Sequence, residues 1–518
     1  MSRMRRRSEI SLIDARGSWQ PTRRELLRAA AAAGAGIAFA GPLARRALAA
    51  DSTSYDDGST SIPDGIDGEP ERVIIVGAGW AGLTAANALR NAGIDHVVLE
   101  GRDRIGGRAH TIDLDGVAVD LGCSWIHDPI GNPLTTFADQ AGVARRDADH
   151  IADAATYRMW DARLGRELDT TEKFVALGHG ATFLFDEAAT IARELGPSGS
   201  VYDGAQVYLE RRGLAGDARR QAAFAIQILT ELSENYPWSK LSLDQATKRD
   251  LLYSGGLGVW PVGGYERLCQ AMAGPEPVLL SHRVVAIERF RDRVTVHAEV
   301  QGPSGSRRVS FDGSHVVVAV PLGVLKARTI RFYPTLPDDK RASIGRVGFG
   351  WIEKVAMRFD EPFWADAQHT HIVNISSRVP LQLPLWIDVD RISGEPVLVV
   401  FSSGSDAKRT HALGARAALE LTLARLREIL GHEVPRPRAW HVTDWQGDPY
   451  TRGGYTATAV GASPYDLDVL AAPVGGRLLF CGEHTNRHRY AHADGAMTTG
   501  IREAKRLLRS AAVTLSAG

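Results

Sequence analysis

The chain has 518 residues, well beyond the ~100–200 residues of a typical domain, so we expect two or three domains with a substantial core. Hydrophobic residues make up 44% and charged residues 24%, which excludes a disordered or coiled-coil protein. The 61 basic and 61 acidic residues balance, so the composition gives no indication of a nucleic-acid partner. Because no uncharged apolar run reaches the ~18–20 residues of a spanning helix, stable membrane insertion is not expected.

The N-terminal segment, residues 1–49, differs in charge from the rest of the chain, with ten arginines and no lysine. A twin arginine, Arg23-Arg24, precedes an apolar Ala/Gly stretch, and the small residues Ala47-Leu48-Ala49 follow. This order predicts a twin-arginine signal peptide, and hence export to the periplasm or the exterior by the twin-arginine machinery. A basic amphipathic helix or nucleic-acid arm is the alternative, but the Ala/Gly stretch has no polar face. Residues 50–70 are polar and predict a disordered linker.

A βαβ pattern opens the folded part of the chain. Residues 73–76 form a short apolar run typical of a buried strand, and residues 96–99 form a second one that ends at Glu100. Between them lies the spacing GxGxxG, with Gly77, Gly79 and Gly82. These glycines permit a tight turn that brings pyrophosphate to a helix N-terminus, and Glu100 is placed to bind a ribose hydroxyl. The pattern indicates dinucleotide binding and leaves NAD and FAD open.

The residues after Glu100 favour FAD. Arg104-Ile105-Gly106-Gly107-Arg108 supplies two cations and two adjacent glycines directly behind the ribose-binding strand. Here the sequence resembles the flavin amine oxidase family, which includes monoamine oxidases, polyamine oxidases, L-amino-acid oxidases and histone lysine demethylases. The likeness extends from Arg72 to about Leu508. Further matching motifs follow in chain order at residues 119–127, 261–265, 317–325, 354–364 and 482–485.

The resemblance implies an α/β fold with an α+β substrate domain. This is the two-domain FAD-dependent amine oxidase fold, with a Rossmann-type FAD-binding domain. The expected FAD-binding domain is discontinuous, over residues 71–130, 250–330 and 436–510, and the substrate-binding domain covers residues 131–249 and 331–435. Periodicity independently predicts helices between residues 132 and 245. It also predicts strands at residues 283–289, 294–300, 315–320, 354–359 and 397–401, and a helix at residues 414–430.

The resemblance further implies which residues bind FAD: Gly77, Gly79, Gly82, Glu100, Arg104, Gly107, Arg108, Trp125, Val285, Gly482, Glu483, Ala496 and Met497. The helix that starts at Ala496 and Met497 would direct its N-terminus at the flavin pyrimidine edge, where its dipole stabilises negative charge. The alternative for Glu483 is a helix-capping carboxylate. Non-covalent binding is expected, because monoamine oxidases attach FAD through a cysteine just before the cage tyrosine. Here Gly454 occupies that position, before Tyr455.

Five residues are implied to act on the substrate. Lys354 matches the lysine that in the family holds a water beside flavin N5 and assists reoxidation by oxygen; an exposed strand lysine is the alternative. Trp445 and Tyr455 match the segment that faces the flavin, with Tyr455 as one wall of an aromatic cage. His492 falls at the opposite wall, where most relatives have an aromatic ring, and Tyr490 could take that wall instead. His127 lies in the channel-lining segment of polyamine oxidases, and a core histidine is an equal alternative.

A metal site is the weaker interpretation of the C-terminal histidines. His484, His488 and His492 recur every fourth residue, which on a helix would place three ring nitrogens on one face. However, His484 belongs to the flavin motif, and no carboxylate or cysteine completes the ligand set, so no metal is predicted. The three cysteines are far apart and odd in number, which indicates neither a disulfide framework nor a zinc site: Cys123, Cys269 and Cys481.

The function implied by the resemblance is oxidation of a polyamine or other primary or secondary amine to an imine, then an aldehyde, with O2 reduced to H2O2. An L-amino-acid oxidase is one alternative, but residues 123–127 lack the arginine that holds the amino-acid carboxylate in those enzymes. A FAD-dependent amine dehydrogenase or a non-oxidase flavoprotein is the other. The expected partners are a small-molecule amine, O2 and the export machinery, and the sequence leaves a homodimer open.

Overall fold

The computed structural model describes residues 66–147, 157–247, 258–275, 277–302, 305–364, 371–375 and 382–517. The predicted signal peptide and most of the predicted linker lie outside the described residues. None of the helices in these ranges combines the length and the apolar character needed to cross a lipid bilayer.

A parallel four-stranded sheet forms the centre of the first domain. In spatial order its strands are Asp95–Leu99, Arg72–Val76, His315–Val318 and Leu478–Phe480. Val73 and Ile75 pack with the helices Trp80–Asn91 and Ala493–Ala517 on one face, whereas Ile74 and Val76 pack against a second sheet. Both faces are therefore covered, which is why the central strand is a continuous apolar run. The sheet brings segments from both ends of the chain together.

The second sheet of this domain has the order Gly305–Gly313, Val294–Gly302, His282–Arg289 and Arg331–Tyr333. Its first three strands are antiparallel, and the last runs parallel to its neighbour. Four short helices complete the domain: Glu266–Ala273, Leu322–Lys326, Asp338–Arg346 and Pro464–Ala471.

A seven-stranded mixed sheet forms the second domain. Its order is Ala439–Val442, Ile352–Arg358, Val397–Ser403, Leu385–Asp388, His371–Ile375, Tyr157–Asp161 and Arg166–Glu167. One face packs on the helices Gly404–Leu413 and Ala415–Leu430, and the short helix Asp390–Ser393 follows one strand. The predicted strands and the helix at residues 414–430 agree with the observed elements within two residues at either end.

The predicted helical region between residues 132 and 245 consists of several helices: Pro133–Gln140, Thr170–Thr182, Ala188–Leu195, Val201–Arg211, Gly216–Glu234 and Leu243–Ala246, with a π-helical turn at Phe183–Glu187. Capping boxes fix two of the starts, with Asp169 and Ser200 as the N-cap residues. The remaining strands form three two-stranded pairs: Thr111–Asp113 with Ala118–Asp120, Arg145–Asp147 with Val259–Pro261, and Gly348–Phe349 with Thr456–Ala457.

Strand pairing crosses two of the predicted domain boundaries. Arg331–Tyr333, predicted to open the second substrate segment, pairs with His282–Arg289 of the first domain. Ala439–Val442, predicted to belong to the FAD-binding domain, pairs with Ile352–Arg358 in the seven-stranded sheet. Motif positions locate the domains along the chain, but the sheet that an edge strand joins is decided by long-range hydrogen bonds.

Candidate active site

The glycine turn after the first strand keeps its backbone open to a phosphate group. The Gly77 N–H donates to the Leu99 carbonyl oxygen at 2.8 Å, and Gly77 has a φ of 107°. A Cβ at Gly82 would lie 1.9 Å from the Gly77 carbonyl oxygen, so only glycine permits this approach. The helix begins at Trp80 with Gly79 as its N-cap and no side-chain cap, which leaves its first N–H groups to an anion.

The Glu100 carboxylate is buried beside this turn. It accepts hydrogen bonds from the Ala78 N–H at 2.7 Å and from the Arg102 N–H at 2.9 Å. Burial raises its pKa above the ordinary value, although these two N–H groups and the Arg102 charge oppose the shift. The Glu100 carbonyl oxygen accepts from the His282 N–H at 2.7 Å. The strand that carries Val285 therefore starts next to the predicted ribose site.

The loop at residues 104–108 lies directly against the glycine turn. The Gly106 N–H donates to the Ala78 carbonyl oxygen at 2.8 Å, and Gly79 pairs with Gly106 in a β-bridge. Arg104 donates to carbonyl oxygens of its own loop, including that of Gly107 at 3.0 Å. Burial lowers the pKa of the Arg104 guanidinium. The two glycine-rich stretches are thus side by side, and Arg104 fixes the shape of the second.

Arg108 joins this loop to the C-terminal motif. One of its nitrogens donates to Glu483 Oε1 at 2.9 Å and to the Gly454 carbonyl oxygen at 2.8 Å. Glu483 Oε2 accepts from the Ala491 N–H at 2.8 Å. Burial disfavours the charged carboxylate, but Arg108 and the neighbouring donors hold the pKa of Glu483 below its ordinary value. Glu483 is therefore an ionised carboxylate that links distant parts of the chain.

The closing helix Ala493–Ala517 begins beside this motif. The Ala496 N–H donates to the His492 carbonyl oxygen at 3.1 Å, and Met497 is buried. The Gly482 N–H donates to Thr499 Oγ1 at 3.0 Å, which holds the motif against the second turn of the helix. The positive end of the helix dipole consequently lies next to the Gly482–Glu483 turn.

Buried polar atoms with no partner within the described part of the chain occur in the predicted FAD-binding domain and also at Asn235, which lies in the predicted substrate-binding domain. They are Trp80 Nε1, Asn235 Nδ2 and Oδ1, Thr456 Oγ1 and His484 Nδ1. Buried polar groups in folded proteins are nearly always hydrogen-bonded, so such a group of atoms indicates a ligand with several donors and acceptors. A flavin dinucleotide fits this requirement, and it also fits the glycine turn.

Lys354 is buried rather than exposed. It lies on strand Ile352–Arg358, and its Nζ donates to the Asp120 carbonyl oxygen at 3.0 Å, the Gly122 carbonyl oxygen at 2.6 Å and Ser124 Oγ at 2.9 Å. The ammonium also lies 4.8 Å from the centre of the Phe401 ring. Burial lowers its pKa to about 8, and the Asp120 charge opposes this shift. The surface-lysine alternative is therefore wrong.

Trp445 packs against the same segment that binds Lys354. Its indole N–H donates to the Leu121 carbonyl oxygen at 3.2 Å. Glu353, on the strand beside Lys354, accepts from the Trp445 N–H at 3.1 Å and from the Thr443 hydroxyl at 2.5 Å. Burial raises the pKa of Glu353 to about 7. The backbone of the tryptophan segment is therefore fixed by a buried carboxyl group.

Tyr455 is anchored to the helical region. Its hydroxyl donates to the Leu232 carbonyl oxygen at 3.0 Å, near the end of helix Gly216–Glu234. The Tyr455 carbonyl oxygen accepts from the Gly350 N–H at 2.7 Å. These two bonds hold the ring at the junction of the two domains.

His127 and His492, both predicted to act on the substrate, belong to one cluster of aromatic rings. The His127 and His492 rings lie 5.5 Å apart between centroids, and Trp125 lies 6.4 Å from His127 and 4.9 Å from Trp260. Tyr490 is buried instead in the core of the first domain, where its hydroxyl donates to a Glu234 carboxylate oxygen at 3.2 Å. The geometry therefore favours His492 over Tyr490 as the residue that faces His127.

The C-terminal histidines do not share a helix face. Glu483–Thr485 is a single 3₁₀ turn, and the helix begins only at Ala493. The spacing of His484, His488 and His492 thus lacks the helix that a shared metal site would need. Burial lowers the pKa of His484 to about 4.

Three further residues near the site were not predicted from the sequence. Asp120 and Glu353 are buried carboxyl groups beside Lys354. Arg102 pairs with Asp448 and donates to Thr451 Oγ1 at 2.6 Å, which ties the segment between Trp445 and Tyr455 to the Glu100 strand. Each of the three is adjacent to a predicted residue or within a matched motif, and this adjacency is the signal that could have identified it.

Comparison with known proteins decides the family. The model of the flavin containing amine oxidoreductase family matches residues 80–508. This chain belongs to that family. It is 33% identical over 445 residues to polyamine oxidase 3 of Oryza sativa subsp. japonica, with 83% of this chain and 88% of that protein covered. It is also 33% identical over 462 residues to lysine-specific histone demethylase 1 homolog 2 of Arabidopsis thaliana, with 87% of this chain but only 60% of that protein covered.

The comparison with solved structures concerns the fold. A wild-type putrescine oxidase with bound putrescine matches with a TM-score of 0.67 and 23% identity, over 85% of this chain and 99% of that one. The predicted two-domain amine oxidase fold of mixed helices and strands is confirmed. The family also confirms that the protein is a flavin-containing amine oxidase and that its cofactor is FAD.

Proposed function

We propose that the enzyme oxidises a polyamine, or another primary or secondary amine, with O2 as the electron acceptor. For a primary amine the balanced reaction is RCH2NH2 + O2 + H2O → RCHO + NH3 + H2O2. The observation that carries the proposal is the buried Lys354, whose Nζ is held by three acceptors within 3.0 Å. A fixed cation stabilises negative charge as it develops on oxygen. The polyamine oxidase relative supports the choice of substrate class.

The protein side chains orient and desolvate the amine. When bound, FAD accepts two electrons and a hydrogen from the carbon next to nitrogen. Trp445 and Tyr455 are each fixed by hydrogen bonds, so their rings are preorganised. The rings of His127 and His492, which lie together, are proposed to enclose the amine from another side. Apolar ring surface disfavours an ammonium by desolvation, which leaves the reacting nitrogen as the free amine that the oxidation needs.

An oxygen-consumption screen tests this function. The purified FAD-loaded protein is given putrescine, spermidine, spermine, benzylamine and a set of L-amino acids, and H2O2 is measured in parallel. We expect O2 uptake and matching H2O2 with at least one amine. Uptake with L-amino acids alone would favour the L-amino-acid oxidase alternative. Flavin reduction by amines without O2 uptake would favour an amine dehydrogenase.

We also propose that the protein is exported by the twin-arginine pathway. Support comes from Arg23-Arg24 and the small residues before Ala50. Replacement of both arginines with lysine should leave the precursor in the cytoplasm, and a variant with two distant surface lysine replacements should be exported normally. Unchanged export of the first variant would contradict the proposal. The oligomeric state, including a homodimer, is measured on the same exported protein by light scattering.

A further inference from the structure

Lys354 is a buried cation with only neutral hydrogen-bond partners. An ammonium has three donors, and all three are used by two backbone carbonyl oxygens and one hydroxyl of residues 120–124. Its fourth neighbour is the uncharged ring of Phe401. A buried charge without compensation is unfavourable, so a counter-charge at somewhat longer range is needed.

Asp120 is the carboxyl group in position to supply that charge. Its backbone carbonyl oxygen accepts from Lys354 Nζ at 3.0 Å, so the carboxylate belongs to a residue in direct contact with the ammonium. Asp120 Oδ1 accepts from Thr111 Oγ1 at 2.6 Å and from the Tyr265 N–H at 2.9 Å. Asp120 Oδ2 is buried and has no partner among the described residues. The carboxylate is thus held in place while one of its oxygens remains uncompensated.

We propose that Asp120 is the buried counter-charge that keeps Lys354 an ammonium, and is thereby a positioning residue of the active site. The interaction is reciprocal, because Lys354 lowers the pKa of Asp120 while Asp120 raises that of Lys354. Burial still brings the pKa of Asp120 up to about 6 and that of Lys354 down to about 8. Each charge therefore favours the ionised form of the other against the effect of burial.

The other titratable groups around the pair do not replace Asp120. Burial raises the pKa of the Cys123 thiol to about 12 and that of the Tyr265 phenol well above its ordinary value, so both are neutral. Glu266 acts on Asp120 as a like charge and raises its pKa further. Glu353, the neighbour of Lys354 on the strand, binds the Thr443 hydroxyl and the Trp445 N–H instead. Asp120 is thus the carboxylate that acts on the Lys354 charge.

This dependence has a consequence that rests on the proposed oxidase function. If Lys354 stabilises negative charge on oxygen, removal of the Asp120 charge lowers the fraction of Lys354 that is cationic at neutral pH. The oxygen half-reaction of Asp120→Asn should then lose rate as the pH rises, beginning at a lower pH than in the wild type.

The direct test is a titration of Lys354 by NMR. The chain has eight lysines, so protein labelled with ¹³C at lysine Cε gives few signals, and the Lys354→Met variant assigns the relevant one. In the FAD-loaded Asp120→Asn protein we expect the Lys354 midpoint to fall by about one pH unit or more. The control Asp113→Asn removes an exposed carboxylate of the same hairpin and should leave the midpoint unchanged. An unchanged midpoint in Asp120→Asn would overturn the proposal.

A reciprocal variant covers the case in which Asp120→Asn does not fold. In Lys354→Gln, labelled at aspartate Cγ, the signal assigned to Asp120 should titrate at a higher pH than in the wild type, and an unshifted midpoint would overturn the pairing.

The H2O2 assay separates the two proposals. A shifted lysine midpoint in a protein that makes no H2O2 with any amine would support the pairing and contradict the oxidase function.

Discussion

The imidazole rings of His127 and His492 meet edge to face, with centroids 5.5 Å apart and an interplanar angle of 79°. His127 comes from the segment after the first domain's small hairpin, and His492 immediately precedes the closing helix. The His492 ring also hydrogen-bonds the Tyr490 carbonyl oxygen at 2.8 Å, which fixes its orientation. Two parts of the chain that are far apart in sequence thus bring these two rings together, and we propose that the pair forms one wall of the substrate site.

Replacement of His492 tests whether this wall contacts the amine. Removal of the contact between the amine and one ring face should cost about 1 kcal/mol of binding free energy. His492→Ala should therefore lower kcat/KM for the preferred amine about fivefold to tenfold. His492→Phe, which keeps a ring, should retain most of the activity, and FAD content should stay unchanged in both. His432→Ala serves as the exposed control. Equal kcat/KM for His492→Ala and the wild type would remove His492 from the wall.

Lys354→Met is expected to separate the two half-reactions. Loss of a fixed charge at a site where charge develops costs about 10²-fold in rate, so the oxygen half-reaction should slow by about that factor. The anaerobic amine half-reaction should change much less. Stopped-flow absorbance measures both rates, and the exposed Lys505→Met variant is the matched control. Equal losses in the two half-reactions would refute the role of Lys354 with oxygen.

FAD should be released by denaturation. The residue before Tyr455 is Gly454, which has no thiol for a thioether bond. A Cβ at Gly454 would already lie 3.1 Å from an Ile352 methyl carbon, so the site is tightly packed. Acid precipitation should therefore leave the yellow colour in the supernatant. Flavin absorbance that stays with the precipitated protein would show a covalent bond elsewhere.

Three buried histidines should lose their contribution to the stability of the protein as the pH is lowered from about 6.5 to about 4. Burial lowers the pKa of His179, His315 and His484 to about 4 each. At these histidines the unfolded chain binds more protons than the folded chain in this window, so their contribution to stability is lost as the pH falls. The buried carboxyl groups of Asp120, Glu231 and Glu353, whose pKa values burial raises, act in the opposite direction. For the fully buried His315 the loss by pH 4 is on the order of 3 kcal/mol. The urea midpoint of His315→Leu should therefore rise relative to that of the wild type as the pH falls through this window. A difference between the two midpoints that does not change with pH would contradict this.

Local sequence signals were sufficient for the cofactor-binding elements. The glycine turn, Glu100 and the residues after it form from neighbouring positions, so their spacing alone specifies them. Contacts between segments that are distant in sequence could not be predicted in this way. That Arg108 binds Glu483, or that Trp445 donates to the Leu121 carbonyl oxygen, depends on how distant segments pack. For the same reason the spacing of Tyr490 and His492 could not show that Tyr490 is buried with its hydroxyl bound to Glu234, whereas the His492 ring lies against His127.

Asp120 shows what motif matching leaves out. It lies within the matched segment at residues 119–127, yet its importance comes from the burial of a charged lysine more than two hundred positions away. Glu353 is similar, because a residue next to Lys354 on a strand points to the other side and its role depends on which segment packs there.

The most direct test of the amine oxidase function is an anaerobic titration of the FAD-loaded protein followed by admission of O2. Putrescine, spermidine or spermine is added without oxygen while the visible absorbance of the flavin is recorded. We predict that at least one of them bleaches the flavin, and that O2 then restores the absorbance and yields one H2O2 for each flavin reoxidised. A flavin that stays oxidised with every amine tested would contradict the account, as would one that O2 fails to restore.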